Sequence, residues 1–106
     1  MTTRAVIVKA AARADIRDNV RFIARDSVQY AEKFGNEFDR AIERIAAFPE
    51  AGAKVSGFRD LRSVRVSARF WRHLIIYRVD DSEIRIVRVL HGAMDAYRHL
   101  SASDRT

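Results

Sequence analysis

The alternation of apolar and polar residues changes period once near the start of the chain and once near its middle. Ala5–Ala10 (AVIVKA) is a short β-branched run and predicts a strand. From Ala11 the apolar positions Ile16, Val20, Ile23 and Ala24 recur at helical spacing, with Arg and Asp between them. Ser27, just after Asp26, suits the N-cap of a second helix. In that helix Ala31, Phe34, Phe38, Ala41, Ile42, Ile45 and Phe48 form one apolar stripe. The FPEAG stretch stops it, because Pro49 cannot continue a helix and Gly52 permits a turn. So short a connection around Arg25–Val28 predicts a helical hairpin, and its stripes need a sheet to cover.

After Gly52 the period becomes that of strands. Ala53–Asp60 is expected as a loop, and Leu61–Ala68 alternates, with Val64 and Val66 on one face and Arg65 and Ser67 on the other. His73–Val79 (HLIIYRV) is apolar on both faces and is expected at the centre of the sheet. Asp80–Ser82 is a tight turn into Glu83–His91. Strict alternation there places Ile84, Ile86, Arg88 and Leu90 on one face and Arg85, Val87, Val89 and His91 on the other. Met94–Leu100 is expected as a short terminal turn or helix, and residues 101–106 as a flexible tail. The expected fold class is α+β, in the order β-α-α-β-β-β. It is an antiparallel sheet ending in a three-strand meander, with the helical hairpin packed on one face and the other face partly open. Residues 1–100 are expected to form a single domain.

Composition narrows the chemistry. A chain of 106 residues should bury roughly 65% of its unfolded surface, enough for one core without covalent staples. With no cysteine there is neither a disulfide framework nor thiolate chemistry. His73, His91 and His99 lack metal-ligand spacing, so no metal or other cofactor is expected. No apolar run approaches the ~20 residues of a membrane span, and the N-terminus reads as no signal peptide. A cytoplasmic protein without membrane association is the expectation.

Charge changes the picture more. The net charge is +6. Between Arg59 and Val79 stand arginines 59, 62, 65, 69, 72 and 78 against Asp60 alone, so most of the excess lies in one stretch. Lysine is scarce, at positions 9, 33 and 54 only. Guanidinium groups suit bidentate contacts to carboxylate or phosphate, so the stretch points either to a solvated face or to an anionic partner. Arg78 and Arg88 lie inside otherwise apolar strands and must be paired if buried. Asp95 or Asp60 could supply a structural clamp; direct contact with a target is the other role open to them. His91 is either a turn residue or a base, and Trp71 and Tyr77 either pack or offer stacking surfaces.

The segments ARADIRDNVRFIA, YAEKFGNEFDRAIERIAAFPEAG, LRSVRV, LIIYRV and RVLHGAMD, in this order, resemble the ParE/RelE superfamily of bacterial toxin–antitoxin toxins over nearly the whole chain. RVLHG is similar to the ParE branch. The resemblance implies a toxin of a type II toxin–antitoxin system that poisons DNA gyrase, forms a hetero-oligomer with a ParD-like antitoxin, and is neutralised by it. Arg62, Arg65, Arg69, Arg72, Arg78 and Arg88 are then candidates for binding target or antitoxin, with Asp95 as clamp. The alternative is the RelE branch, ribosome-dependent mRNA endonucleases, with Arg72, Arg88, His91 and Tyr97 as the candidate catalytic set. Many relatives carry an arginine between the histidine–glycine pair and the aspartate, where this chain has Ala93 and Met94. Losing one phosphate-stabilising donor typically costs on the order of 10²–10³ in rate, which weighs against the endonuclease and leaves no catalytic residue expected on the ParE reading.

Overall fold

The strand-to-helix switch near Lys9 is kept in three dimensions. The computed structural model describes residues 4–92 and 100. In it β1 (Ala5–Val8) leads into α1 (Ala10–Asp26) and α2 (Val28–Ala47). Four strands follow: β2 (Ala53–Val55), β3 (Phe58–Arg65), β4 (His73–Val79) and β5 (Glu83–His91). The expected features from Met94 to Tyr97 and beyond, Asp95 included, lie outside the described residues, apart from Leu100.

One residue joins the helices. The Ser27 N–H donates to the Ile23 carbonyl and closes α1, while its Oγ accepts from the Tyr30 N–H at 3.0 Å and opens α2. Such a cap contributes about 1 kcal/mol and fixes a hairpin with no slack. Ala31, Phe34, Phe38, Ala41 and Ile45 are buried along α2, as the stripe requires. Phe48 departs from the expected core stripe and is 71% exposed. It is the C-cap, at φ −135° and ψ 69°, so the chain has already left helical geometry there.

The sheet has the order β1-β5-β4-β3-β2. Its last three strands form the expected antiparallel meander, with β4 in the centre. Two features differ from expectation. The sheet is mixed, because β1 pairs with β5 in parallel, Ala5 opposite Glu83 through Val8 opposite Ile86. The helical hairpin lets β1 lie beside the last strand and run its way. The expected loop after Gly52 also contains β2, three residues paired with β3.

A register shift opposite Ile76 and Tyr77 corrects the expected faces of β5. Tyr77 pairs with Ile86 but Ile76 pairs with Arg88, which leaves Val87 as an extra residue. Beyond it the faces swap. Ile84, Ile86 and Val89 belong to the core under the helices, with Ile75, Tyr77, Phe34 and Phe38. Val87 and Leu90 belong to a second cluster with Val55, Leu61, Leu74, Ile76 and Leu100. The sheet face away from the helices is therefore not an open field of arginines; its centre is apolar and buried. The arginines occupy its margins.

Candidate interaction surface

The β3–β4 connection is short and pinned at several points. The Val66 N–H donates to the His73 carbonyl and the His73 N–H to the Phe70 carbonyl, while Ser67 Oγ accepts from the Phe70 N–H. Phe70 is driven into the core, its ring edge-on to Phe34 at 5.1 Å. The next side chain, Trp71, must then point outward, and it is 46% exposed. The Arg72 guanidinium lies 4.8 Å from the Trp71 ring centroid and that of Arg65 lies 6.0 Å away, both within cation–π range. The Gly92 N–H donates to the Arg72 carbonyl, so this corner is tied to the end of β5. His91 ends β5 beside it, with its ring 4.6 Å from that of buried His73. Burial, and secondarily the charge of His91, lowers the His73 pKa from 6.5 to about 4, so His73 is neutral at pH 7.

The other four candidates, Arg62, Arg69, Arg78 and Arg88, have structural partners. Arg88 makes a bidentate pair with Asp15 of α1 (2.7 and 3.0 Å), and Asp15 also accepts from the Val89 N–H at 2.9 Å. This carboxylate holds α1 onto the β5 irregularity, where Arg88 and Val89 in succession both meet the helix side. Arg78 donates to Asp80, and Arg85 to Glu83. The Glu83 hydrogen bond raises the Arg85 pKa and keeps that guanidinium charged. Arg62 donates to the Glu50 and Gly52 carbonyls (3.0 and 2.9 Å), and Arg69 pairs with Glu37 at 3.2 Å. Of the six sequence candidates, Arg65 and Arg72 share the exposed Trp71 ring, and Arg69 lies 5.9 Å from the ring centroid of exposed Tyr30.

A groove lies beside that corner. The Tyr77 hydroxyl donates to the Pro49 carbonyl (2.7 Å) and accepts from the Gly52 N–H (3.1 Å), clamping the α2–β2 loop. Burial raises the Tyr77 pKa, which keeps the hydroxyl protonated and able to donate. A side chain at position 52 would collide with this hydroxyl, so glycine is required by close approach rather than by backbone angle. The Ala51 N–H bonds to the Phe48 carbonyl, turning the chain toward α2. The result is an apolar groove of about 200 Å³ lined by Ala41, Ile45, Phe48, Ala51 and Val64, with Arg44 at its rim.

The family model for the ParE toxin of the type II toxin–antitoxin system parDE matches residues 6–96. The chain belongs to the ParE toxin family. Its fold is similar to that of a solved structure described as the chromosomal ParDE toxin–antitoxin system from P. aeruginosa. The TM-score is 0.70 at 17% identity, over 85% of this chain and 97% of that one. The YoeB dimer from Staphylococcus aureus matches at a TM-score of 0.48 and 20% identity, over 85% of this chain and 98% of that one. No curated protein sequence matches the chain.

Within this ParE-type scaffold the candidate catalytic set is divided. Arg72 and His91 share one corner, Arg88 is engaged with Asp15, and Tyr97 lies outside the described residues. No group of three or more metal-ligating side chains occurs among the described residues, and none of their helices is long and apolar enough to cross a membrane. Sequence reasoning missed Asp15 and Tyr77 as functional supports. The signal for Asp15 was weak: an acid on an α1 flank, with nothing in the pattern to say that it faces β5. Tyr77 stood in an apolar strand, where a buried hydroxyl demands a partner.

Proposed function

We propose that this ParE-family toxin arrests growth by acting on DNA gyrase and is neutralised by a ParD-like antitoxin in a hetero-oligomer. The observation that carries this reading is the bidentate Arg88–Asp15 pair. A ribonuclease needs cations free to meet a phosphate as charge develops on it. Arg88 is instead engaged by a carboxylate, and Arg62, Arg69 and Arg78 are engaged by carbonyls or acids. What remains is a binding surface rather than an assembled acid–base site. Its action requires no cofactor and no chemical change in the target made by the toxin's own side chains. A gyrase target also places the protein in the cytoplasm, where the chromosome is.

The RelE-like alternative keeps one favourable observation, the shared corner of Arg72 and His91. Expression without antitoxin separates the two. The expected result is an SOS response with intact mRNA; ribosome-dependent mRNA cleavage without DNA damage would replace gyrase with mRNA as the target.

A further inference from the structure

Three exposed side chains meet where β3 turns toward β4. Arg65 ends β3, and Trp71 and Arg72 immediately precede β4. Both guanidinium groups lie over one indole, Arg72 at 4.8 Å and Arg65 at 6.0 Å from its centroid. Neither makes an ion pair among the described residues, whereas Arg69, Arg78, Arg85 and Arg88 each do. The corner is also held in place. Phe70 is buried next to Trp71, and the Gly92 N–H bonds to the Arg72 carbonyl. A partner docking here meets a backbone that is already ordered, which lowers the cost of binding.

A matching ligand must bring negative charge for two guanidinium groups and a flat apolar face for the indole. A carboxylate answers the first need and leaves the indole bare; an aliphatic side chain does the reverse. A nucleotide supplies both, in its phosphate and its base. Bases within a duplex keep their faces in the stack, so the base must be unpaired. The net charge of +6 adds attraction for a polyanion. A second exposed ring, Tyr30, lies 5.0 Å from Phe70 and carries Arg69 at 5.9 Å, but Glu37 neutralises that guanidinium. The unneutralised cations of this corner are those at Trp71.

We propose that the Trp71 corner binds single-stranded DNA, with an unpaired base stacked on the indole and the flanking phosphates on Arg65 and Arg72. This rests on the gyrase reading above for the source of the strand, since gyrase works on DNA.

The test titrates the full chain with a short oligothymidylate. Trp71 is the only tryptophan, so quenching of its emission reports occupancy of the corner. Anisotropy of a labelled strand reports affinity in every variant. Binding is expected to quench Trp71 and to weaken as salt rises. Trp71→Ala should weaken it at least ~5-fold by removing the stacking platform. Arg65→Gln and Arg72→Gln should each lower the slope of log affinity against log salt by about 0.7. Arg21→Gln, which removes the same charge from an exposed position on α1, should leave that slope unchanged. Absence of quenching at low salt overturns the proposal. Equal quenching by polyglutamate overturns it in favour of an acidic polypeptide, and binding of oligouridylate without oligothymidylate overturns the assignment to DNA. No gyrase is present in these titrations, so each of these failures leaves the gyrase reading standing. Failure of that reading in the SOS experiment would remove the source of the strand and leave its binding at Trp71 intact.

Discussion

His73 is buried at 8% exposure between Phe34 and Phe70, and its Nδ1 has no hydrogen-bond partner among the described residues. The folded state holds it neutral, with a pKa of about 4 against 6.5 in the unfolded chain. Between those values the unfolded chain binds more protons, so stability falls as pH falls. The contribution is fully present above pH 6.5 and lost progressively toward pH 4. Its upper size is about 3 kcal/mol, from ~1.4 kcal/mol per unit. Urea titrations at pH 7.5 and 4.5 should therefore show a larger loss of stability for the native chain than for His73→Phe, which cannot be protonated. Equal losses in the two proteins would remove His73 as the cause. Nothing in the sequence announced this histidine, because its position at the head of an apolar strand leaves burial and exposure equally open.

The helical hairpin is the element whose packing the sequence displayed most completely. Its stripe is rigid, repeated over several turns and bounded by Ser27 and Pro49, and the core cluster contains Phe34, Phe38, Ala41 and Ile45. Phe38→Ala should cost roughly 3–5 kcal/mol by opening a cavity between α2 and the sheet. Chemical denaturation measures it, and a loss under about 1 kcal/mol would show that the ring does not help hold the core. Strands were harder to read at their edges. β2 has only three residues and no alternation long enough to detect. β1 was legible as a strand, but its parallel partner was not, since pairing depends on where the hairpin returns the chain. The β5 irregularity was invisible for a related reason. An extra residue in a strand changes the faces of everything after it, and only the partner strand reveals it. The sequence therefore placed Val89 and Leu90 on the wrong faces while placing Ile84 and Ile86 together correctly.

For the whole molecule, charge counted along the chain overstated charge available to a partner. Arginines 62, 69 and 78 stand in the basic stretch, yet each is engaged by a carbonyl or an acid that lies outside the stretch. The same logic decides what Arg88 does. Its partner Asp15 is separated from it by 73 positions, so the pair ties the first helix to the last strand and supports the assembled fold. Both side chains are mostly buried, 23% and 15% exposed, and Arg88→Ala leaves an incompletely compensated carboxylate, at a cost of about 1–3 kcal/mol. If Arg88 serves only as this clamp, Asp15→Ala should produce a similar loss. The double variant should then lose much less than the sum of the two, because the second change breaks nothing further. His91 is the exposed last residue of a largely buried strand, has no comparable tie among the described residues, and on the gyrase reading transfers no proton. Growth arrest after induction, normalised to soluble toxin, should thus persist in His91→Gln. Arg88→Ala and Asp15→Ala should arrest growth less, in proportion to their reduced folded protein. A well-folded His91→Gln that no longer arrests growth would instead point to proton transfer at the Arg72–His91 corner, and with it to RNA cleavage.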